Sequence, residues 1–336
     1  MADALQAVAG RRGWIISDGK AGHEAQARGV AEALGLVIEI KRVTPGAPWS
    51  LLSPWGPVAP SERFGSPASQ FHRPWPDFAF AIGRLTIPYI RRLKQMAGLA
   101  TYTVILLDPK VSAKTADLFW VPEHDKLRGS NVITTLTAPH TFSAARLAEL
   151  RTRRPAEIAA LPTPRVAVLL GGPNGDYLYT PPRVAHLASA LQSLGALGAG
   201  LMITPSRRTP ADVVAFLREQ TAWQPQLFWD GQGANPYPQF LAQADAFVVP
   251  ADSVNMTGEP CATGKPIYVF EPEGGSPKFA RFHDALRQYG ATRPLPARFE
   301  RLETWTYPPL DSGAVIAAEI ARRWSKRRQM LGGAGN

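Results

Sequence analysis

The chain has 336 residues, 45% of them hydrophobic, with a formal net charge of +10 and a single cysteine, Cys261. At roughly 150 residues per domain this length calls for two domains, and the composition is that of a globular protein with a sizeable core. One cysteine excludes an intramolecular disulfide and fits a reducing compartment. No run approaches the ~18 apolar residues of a membrane span, and residues 1–12 lack the apolar centre of a secretory signal. The expected location is therefore the cytoplasm, with a peripheral position at the inner face of a membrane also open. The positive charge suits an anionic partner, nucleotide phosphate or an anionic membrane surface. Nucleic acid ranks last, because the arginines are dispersed and no nucleic-acid module is legible.

Residues 14–17 read as a short apolar strand. The chain then runs through Asp18-Gly19-Lys20-Ala21-Gly22-His23 into an Ala-rich helix to residue 34, closed by Gly35. A strand, glycine loop and helix in this order let the backbone approach a phosphate or a sugar, because glycine has no Cβ. The spacing matches neither G-x-G-x-x-G nor a P-loop. His23 is the candidate general base, since an unperturbed imidazole titrates near neutrality. The competing reading makes His23 a polar residue in a first helical turn with Asp18 as its cap.

Residues 36–42 form the second strand. Residues 44–76 then change character: they are rich in Pro, Gly and Ser and carry Trp49, Leu51, Leu52, Trp55, Phe64, Phe71 and Trp75. So long a loop in a compact domain is usually functional or disordered. Exposed Trp and Leu beside arginines would suit a membrane interface; packed back, the same aromatics would form a satellite core. Residues 78–82 are the next strand, ending at Gly83-Arg84. A helix over 87–96 carries Arg91, Arg92 and Lys94, read as a solvated face. Residues 102–107 are a buried strand, and Asp108 at its carboxyl end is the second candidate base. Two further strands span 118–121 and 132–134, and His140 begins a helix to residue 151.

Residues 151–164, basic and then punctuated by Ala and Pro, mark the domain boundary. A new strand over 165–170 runs into Gly171-Gly172-Pro173-Asn174-Gly175, followed by a helix over 182–194. After a strand at 201–204, Ser206-Arg207-Arg208-Thr209 opens another helix. A cap hydroxyl with adjacent guanidinium groups at a strand's carboxyl end suits a diphosphate, because arginine bonds in a bidentate fork. The strand over 226–229 ends at Asp230-Gly231, and a short helix spans 236–243.

Two β-branched, aromatic runs, 246–249 and 267–270, flank the segment that organises the second half. Asp252-Ser253 begins a helix that carries Glu259 and stops at Gly264-Lys265-Pro266. A helix N-terminus opening off a parallel strand suits an anion, and Glu259 could hold hydroxyls of the same ligand. An ordinary crossover with Ser253 as a satisfied cap is the alternative. Beyond it, a glycine loop leads to a helix bearing Lys278, Arg281 and His283, placed to close on a leaving diphosphate or simply charged surface. The final helix, 311–329, ends in a basic tip with Trp324, which would meet anionic lipid or complement its own dipole.

Asp252-Ser253-Val254-Asn255-Met256-Thr257-Gly258-Glu259, followed by Cys261-Ala262-Thr263-Gly264-Lys265-Pro266, resembles the donor-binding segment of GT-B glycosyltransferases. With Ser17-Asp18-Gly19-Lys20-Ala21-Gly22-His23-Glu24-Ala25-Gln26, Leu170-Gly171-Gly172-Pro173 and Thr204-Pro205-Ser206-Arg207-Arg208-Thr209, the chain is similar over residues 14–310 to the Elm-type mitochondrial-fission family of plants and its bacterial relatives, a GT-B-like group. The resemblance implies an α/β fold of two doubly wound Rossmann-like domains facing a cleft. Residues 1–155 would be the acceptor-side domain with the insertion 44–76, residues 156–310 the nucleotide-sugar donor domain, and residues 311–336 a C-terminal helix and basic tail returning to the first domain. It puts Gly19, Lys20 and Gly22 on the acceptor side and Gly171 and Gly172 against the donor phosphates, although Pro173 removes one N–H. Trp229 or the backbone from Gly231 to Asn235 would grip the nucleobase. Ser206, Arg207, Arg208, Asp252, Ser253, Asn255, Glu259 and Lys278 complete the donor set.

The resulting expectation is transfer of a sugar from a nucleotide-diphosphate donor, UDP first, to an acceptor that the Trp-rich loop makes compatible with a lipid carrier. No paired Asp/His cluster has metal-ligand spacing. Helix N-termini and arginines are therefore expected to meet the phosphate charge, with neither metal nor cofactor. Two other functions stay open. One is a catalytically silent adaptor at a membrane surface that recruits a protein partner, as plant members are associated with organelle fission. The other is a UDP-sugar epimerase.

Overall fold

Short continuous apolar runs bury both faces, which is the signature of strands covered by helices on two sides. The computed structural model describes residues 2–66 and 69–333, and in it these runs form two six-stranded parallel sheets. Strands β1 (Arg12–Ser17), β2 (Val37–Arg42), β3 (Phe78–Ile82), β4 (Tyr102–Leu106), β5 (Leu118–Pro122) and β6 (Val132–Thr135) make the first. Its order is β2-β1-β3-β4-β5-β6. Strands β7 (Arg165–Leu170), β8 (Tyr177–Leu178), β9 (Gly200–Pro205), β10 (Gln226–Phe228), β11 (Ala246–Pro250), β12 (Ile267–Phe270), β13 (Glu273–Gly274) and β14 (Thr292–Pro294) follow. The second sheet runs β10-β9-β7-β11-β12-β14, and β8 pairs with β13 in a separate antiparallel ribbon. The order of strands reverses between β1 and β3 in the first sheet and between β7 and β11 in the second. Those are the crevices where open α/β sheets take ligands.

Residues 2–141 with the terminal segment from Asp311 form one unit, and Phe142–Leu310 the other. The division falls at Thr141–Phe142, ahead of residues 151–164, where composition placed the boundary. The cause is the helix Ala144–Thr152, which belongs to the second unit: Gln243 Nε2 donates to Leu150 O at 3.1 Å, and Arg151 Nε donates to Ala242 O at 3.1 Å. The same helix starts later than expected. Ser143 caps it by accepting from the Arg146 N–H, while His140 is buried ahead of it.

The core of the first unit lies on both faces of its sheet. On one face Phe78, Phe80 and Trp120 pack with Ile316, Ile320 and Trp324 of the terminal helix Ser312–Gly333. The chain's last helix thus returns to the first unit, as the resemblance implied. Trp324 is 7% exposed, with its ring 5.6 Å from Phe78, so it is a core residue and not part of a lipid-facing tip. Burying such a ring stabilises by about 2–3 kcal/mol. The basic residues around it are largely engaged: Arg322 and Arg323 bind Glu319, and Arg327 binds Asp117 at 3.3 Å. On the other face Trp14 and Ile16 meet Phe64, Phe71 and Trp75 of the Pro-rich segment. That segment therefore divides: its second half is core, while Leu51, Leu52 and Trp55 remain exposed. Among the described residues no helix is long and apolar enough to cross a membrane.

Candidate functional site

In the second unit the loops after β7, β9, β11 and β12 converge at the carboxyl edge of the sheet. Asp252, just beyond β11, is 3% exposed and is the point on which they meet. Its Oδ1 accepts from the Tyr179 hydroxyl at 2.6 Å. Its Oδ2 accepts from Arg208 Nη2 at 2.7 Å and from the Gly172 N–H at 3.3 Å. Arg208 Nη1 also donates to Gly172 O at 2.7 Å. Thr209 Oγ1 donates to Gly171 O at 2.6 Å, and Ser206 Oγ accepts from the Arg208 N–H at 3.2 Å. Asn174 Nδ2 donates to Asp252 O at 3.1 Å, and the β8/β13 ribbon joins the loops after β7 and β12.

This arrangement explains the two glycines differently from a phosphate cradle. A Cβ on Gly171 would lie 2.1 Å from Asp252 Oδ1, and one on Gly172 would lie 2.0 Å from Arg208 O. Glycine is required there because other loops press against the backbone. The Gly172 N–H is already spent on Asp252. Of the arginine pair, Arg208 fastens loops together, while Arg207 is exposed and has no ion pair among the described residues. Ser253 is the helix cap that one reading expected, accepting from the Met256 N–H at 3.3 Å. Asn255 is half-buried one residue into that helix, and Lys278 is exposed in the first turn of Pro277–Gln288.

Glu259 lies further along, facing the helix Tyr237–Gln243, where its Oε2 accepts from the Tyr237 hydroxyl. Burial pushes this carboxyl up to about 7, although the tyrosine bond pulls the other way. Trp229 gives its indole N–H to Gln232 O at 2.9 Å within its own loop, where Gly231 holds φ at 88°. Cys261 is fully buried and its thiol is pushed up to about 12 by that burial, the environment of a structural cysteine. Sequence reasoning missed Tyr179 and Tyr237. Neither had a local signal, because their carboxylate partners lie 73 and 22 residues away in the chain.

In the first unit the crevice between β1 and β3 holds a second constellation. Asp18, directly after β1, has a side chain only 4% exposed. Its Oδ1 lies 2.9 Å from His23 Nδ1, and its Oδ2 lies 3.3 Å from Lys20 Nζ. Burial alone would raise the Asp18 carboxyl, but hydrogen bonding and charge from His23, with bonds from Lys20, leave it below its ordinary value. Asp18 thus stays a carboxylate and fixes the imidazole. Asp18 Oδ1 also accepts from the Lys20 N–H at 3.3 Å, just ahead of the helix, whose cap residue is Lys20 itself. Gly83, after β3, closes the crevice at φ 92°: a Cβ there would lie 2.8 Å from Asp18 Oδ2 and 3.1 Å from His23 Nδ1. The His23 ring is partly exposed, and its Nε2 has no partner among the described residues. Gly19 turns the loop at φ 80° with its N–H on Ser17 Oγ at 2.9 Å, and Gly22 sits in the first helical turn. Asp108, the second candidate base, is held by the N–H and the ammonium of Lys110 in its own loop. Among the described residues no group of three or more His, Cys, Asp or Glu is placed to hold a metal ion.

Two doubly wound α/β units with polar loops at their switch points define a GT-B-like protein. The fold is similar to that of UDP-GlcNAc 2-epimerase from Methanocaldococcus jannaschii, with a TM-score of 0.53 and 9% identity over 94% of this chain and 99% of that one. The M. jannaschii UDP-GlcNAc 2-epimerase in complex with UDP-GlcNAc and UDP gives 0.50, also at 9% identity, with the same coverage. At such identity the likeness shows the fold alone. The family model described as mitochondrial fission ELM1 matches residues 21–324. Mitochondrial fission protein ELM1 of Arabidopsis thaliana is 31% identical over 286 residues, 76% of this chain and 67% of that protein. The chain belongs to the mitochondrial fission ELM1 family.

Proposed function

We propose that the chain is a glycosyltransferase that takes a sugar from a nucleoside-diphosphate donor, UDP first, and passes it to an acceptor hydroxyl. The observation that carries this reading is the Asp18–His23 pair. An imidazole oriented by a buried carboxylate, with its second nitrogen open, is what acid–base chemistry needs. The Asp18 carboxylate accepts from Nδ1–H, so Nε2 presents its lone pair outward. Nε2 takes the acceptor's hydroxyl proton as that oxygen bonds to the anomeric carbon. The bond from the sugar to the diphosphate breaks, and the diphosphate leaves with the electron pair. In the second unit Arg207 and Lys278 are the cations offered to that charge, and Glu259 is the acceptor for ribose hydroxyls. The fold shared with an epimerase solved in complex with UDP-GlcNAc and UDP supports a nucleotide-sugar ligand.

Calorimetry with UDP, GDP and ADP, with and without Mg²⁺, tests the donor. Selective micromolar binding of UDP without metal supports it, and turnover with UDP-sugars plus an acceptor then tests transfer. A UDP-sugar altered at its ring with no acceptor present would assign the chain to epimerisation.

A second reading, an adaptor without turnover, is favoured by the spent groups in the second unit. The Gly172 N–H and the Arg208 guanidinium, which a diphosphate would use, are committed to Asp252. Absence of binding to all three nucleotides would select it.

A further inference from the structure

The first half of the Pro-rich segment is held rigid with its apolar side chains outward. Trp49–Leu52 is a single helical turn, and Leu51, Leu52 and Trp55 are 74%, 47% and 69% exposed. Two arginines from beyond β3 clamp the backbone beneath them. Arg84 Nη1 donates to Ser53 O at 2.5 Å, and Arg91 donates to Pro54 O at 3.2 Å, to Trp55 O at 2.9 Å and to Gly56 O. The Ser53 hydroxyl closes the turn on Trp49 O at 3.1 Å. Behind the tip, Val58 and the stacked rings of Phe64 and Phe71, 4.5 Å apart, anchor the segment to the core. A floppy loop could fold such residues away. This one is fixed with three large apolar groups in water, and clustered exposure of that kind marks an interaction surface.

The chemistry at the foot of the tip narrows the partner. A cavity of about 580 Å³ opens there, lined by Trp55, Arg63, Arg91, Arg92 and Gln95. Arg63 and Arg92 are exposed and have no acidic partner among the described residues. The nearest carboxylate in sequence, Glu62, is taken by the Tyr89 hydroxyl. An apolar wedge of Leu and Trp with unneutralised guanidinium groups beside it matches the layering of a bilayer surface, with acyl chains below and phosphates above. We propose that this tip docks the protein on an anionic phospholipid bilayer. Leu51, Leu52 and Trp55 enter the headgroup–acyl boundary, and lipid phosphate occupies the cavity against Arg63 and Arg92. The docking is independent of the transferase reading and needs no nucleotide.

The test is co-sedimentation of the full chain with phosphatidylcholine vesicles, with and without phosphatidylglycerol, read alongside quenching of tryptophan fluorescence by brominated acyl chains. Binding is expected only to the anionic vesicles and weakens with salt. The triple variant Leu51→Ser, Leu52→Ser, Trp55→Ser loses it and loses the quenching. The double variant Arg63→Gln, Arg92→Gln binds about thirtyfold more weakly. All five side chains are exposed, so each variant keeps the parent's thermal midpoint and circular dichroism. No binding to anionic vesicles, equal binding to neutral ones, or binding that survives the triple variant overturns the proposal. Capture by immobilised polyglutamate with no capture by vesicles also overturns it, in favour of an acidic protein partner.

Discussion

Arg208 Nη2 donates to Asp252 Oδ2 at 2.7 Å, and this one ion pair ties the loop after β9 to the loop after β11 across the second unit's switch point. The Asp252 side chain is fully buried, whereas that of Arg208 is 42% exposed, so the two ends are not equivalent. Replacing Asp252 with Ala leaves the Tyr179 hydroxyl, the Gly172 N–H and the guanidinium without their acceptor. The unfolding free energy should fall by about 3 kcal/mol. Arg208→Ala leaves a buried carboxylate still bonded to two neutral donors and should cost about 2 kcal/mol. Urea unfolding of both single variants and the double variant measures this. Strict additivity would mean the pair does not couple the loops.

Gly171→Ala tests the close approach of those loops. Its Cβ would fall 2.1 Å from Asp252 Oδ1. Either Asp252 moves and releases Arg208 and Tyr179, or the β7 loop shifts. The expected loss is about 2–3 kcal/mol, with weaker nucleotide binding in the same variant. Gly175→Ala is the control, since nothing lies within 4 Å of its added methyl.

Asp18→Asn keeps the shape of the first-unit crevice but offers an amide where the carboxylate stood. The imidazole then loses the charge that selects Nδ1–H and leaves Nε2 open. The expected outcome is a fall in kcat of about 10²–10⁴-fold with little change in KM, matched by His23→Ala. Asp108→Asn should leave kcat near the parent value, because that carboxylate is bound within its own loop. A larger loss from Asp108→Asn than from Asp18→Asn would transfer the base role to Asp108.

Glu259 makes stability depend on pH. Its carboxyl is pushed from an ordinary 4.5 to about 7 in the folded chain, chiefly by burial. Between those values the folded state holds the proton that the unfolded state has released. The stabilisation from the neutral form is therefore complete at low pH and is lost as pH rises through 7. Glu259→Gln keeps a neutral group at all pH. Relative to the parent it should gain about 2 kcal/mol at pH 8 compared with pH 5. Glu259→Ala should also weaken UDP binding. Unchanged affinity in that variant would remove Glu259 from the donor site.

The strands and the two-unit plan were legible because they are written locally. Runs such as Phe78–Ile82 and Ala246–Pro250 are buried along their whole length, and their neighbours in sequence carry the turn residues that end them. Position at the carboxyl end of a strand is equally local, and Asp18, Gly171, Ser206 and Asp252 all lie just beyond strands. Their roles were less legible. Gly171 and Gly172 read as a phosphate cradle; the structure shows that their lack of a Cβ also serves loop packing. Arg208 read, with Arg207, as a ligand contact or a solvated pair; the structure adds that it straps two loops together. Trp324 read as part of a basic tip that would meet lipid or complement the helix dipole, but its ring is core.

The sequence by itself determined the alternation of strands and helices, the class of fold and the family, since these depend on periodicity and on motifs within a few residues. Only the tertiary structure decided which polar group answers which. The Tyr179 hydroxyl reaches Asp252 from 73 residues away, and Arg208 reaches it from 44. It also decided that Phe71 is buried while Trp55, in the same segment, is left exposed. A hydrogen bond acts over about 3 Å. Which donors come within that distance of a buried carboxylate depends on how the sheet orders its strands, and no window of sequence contains that order.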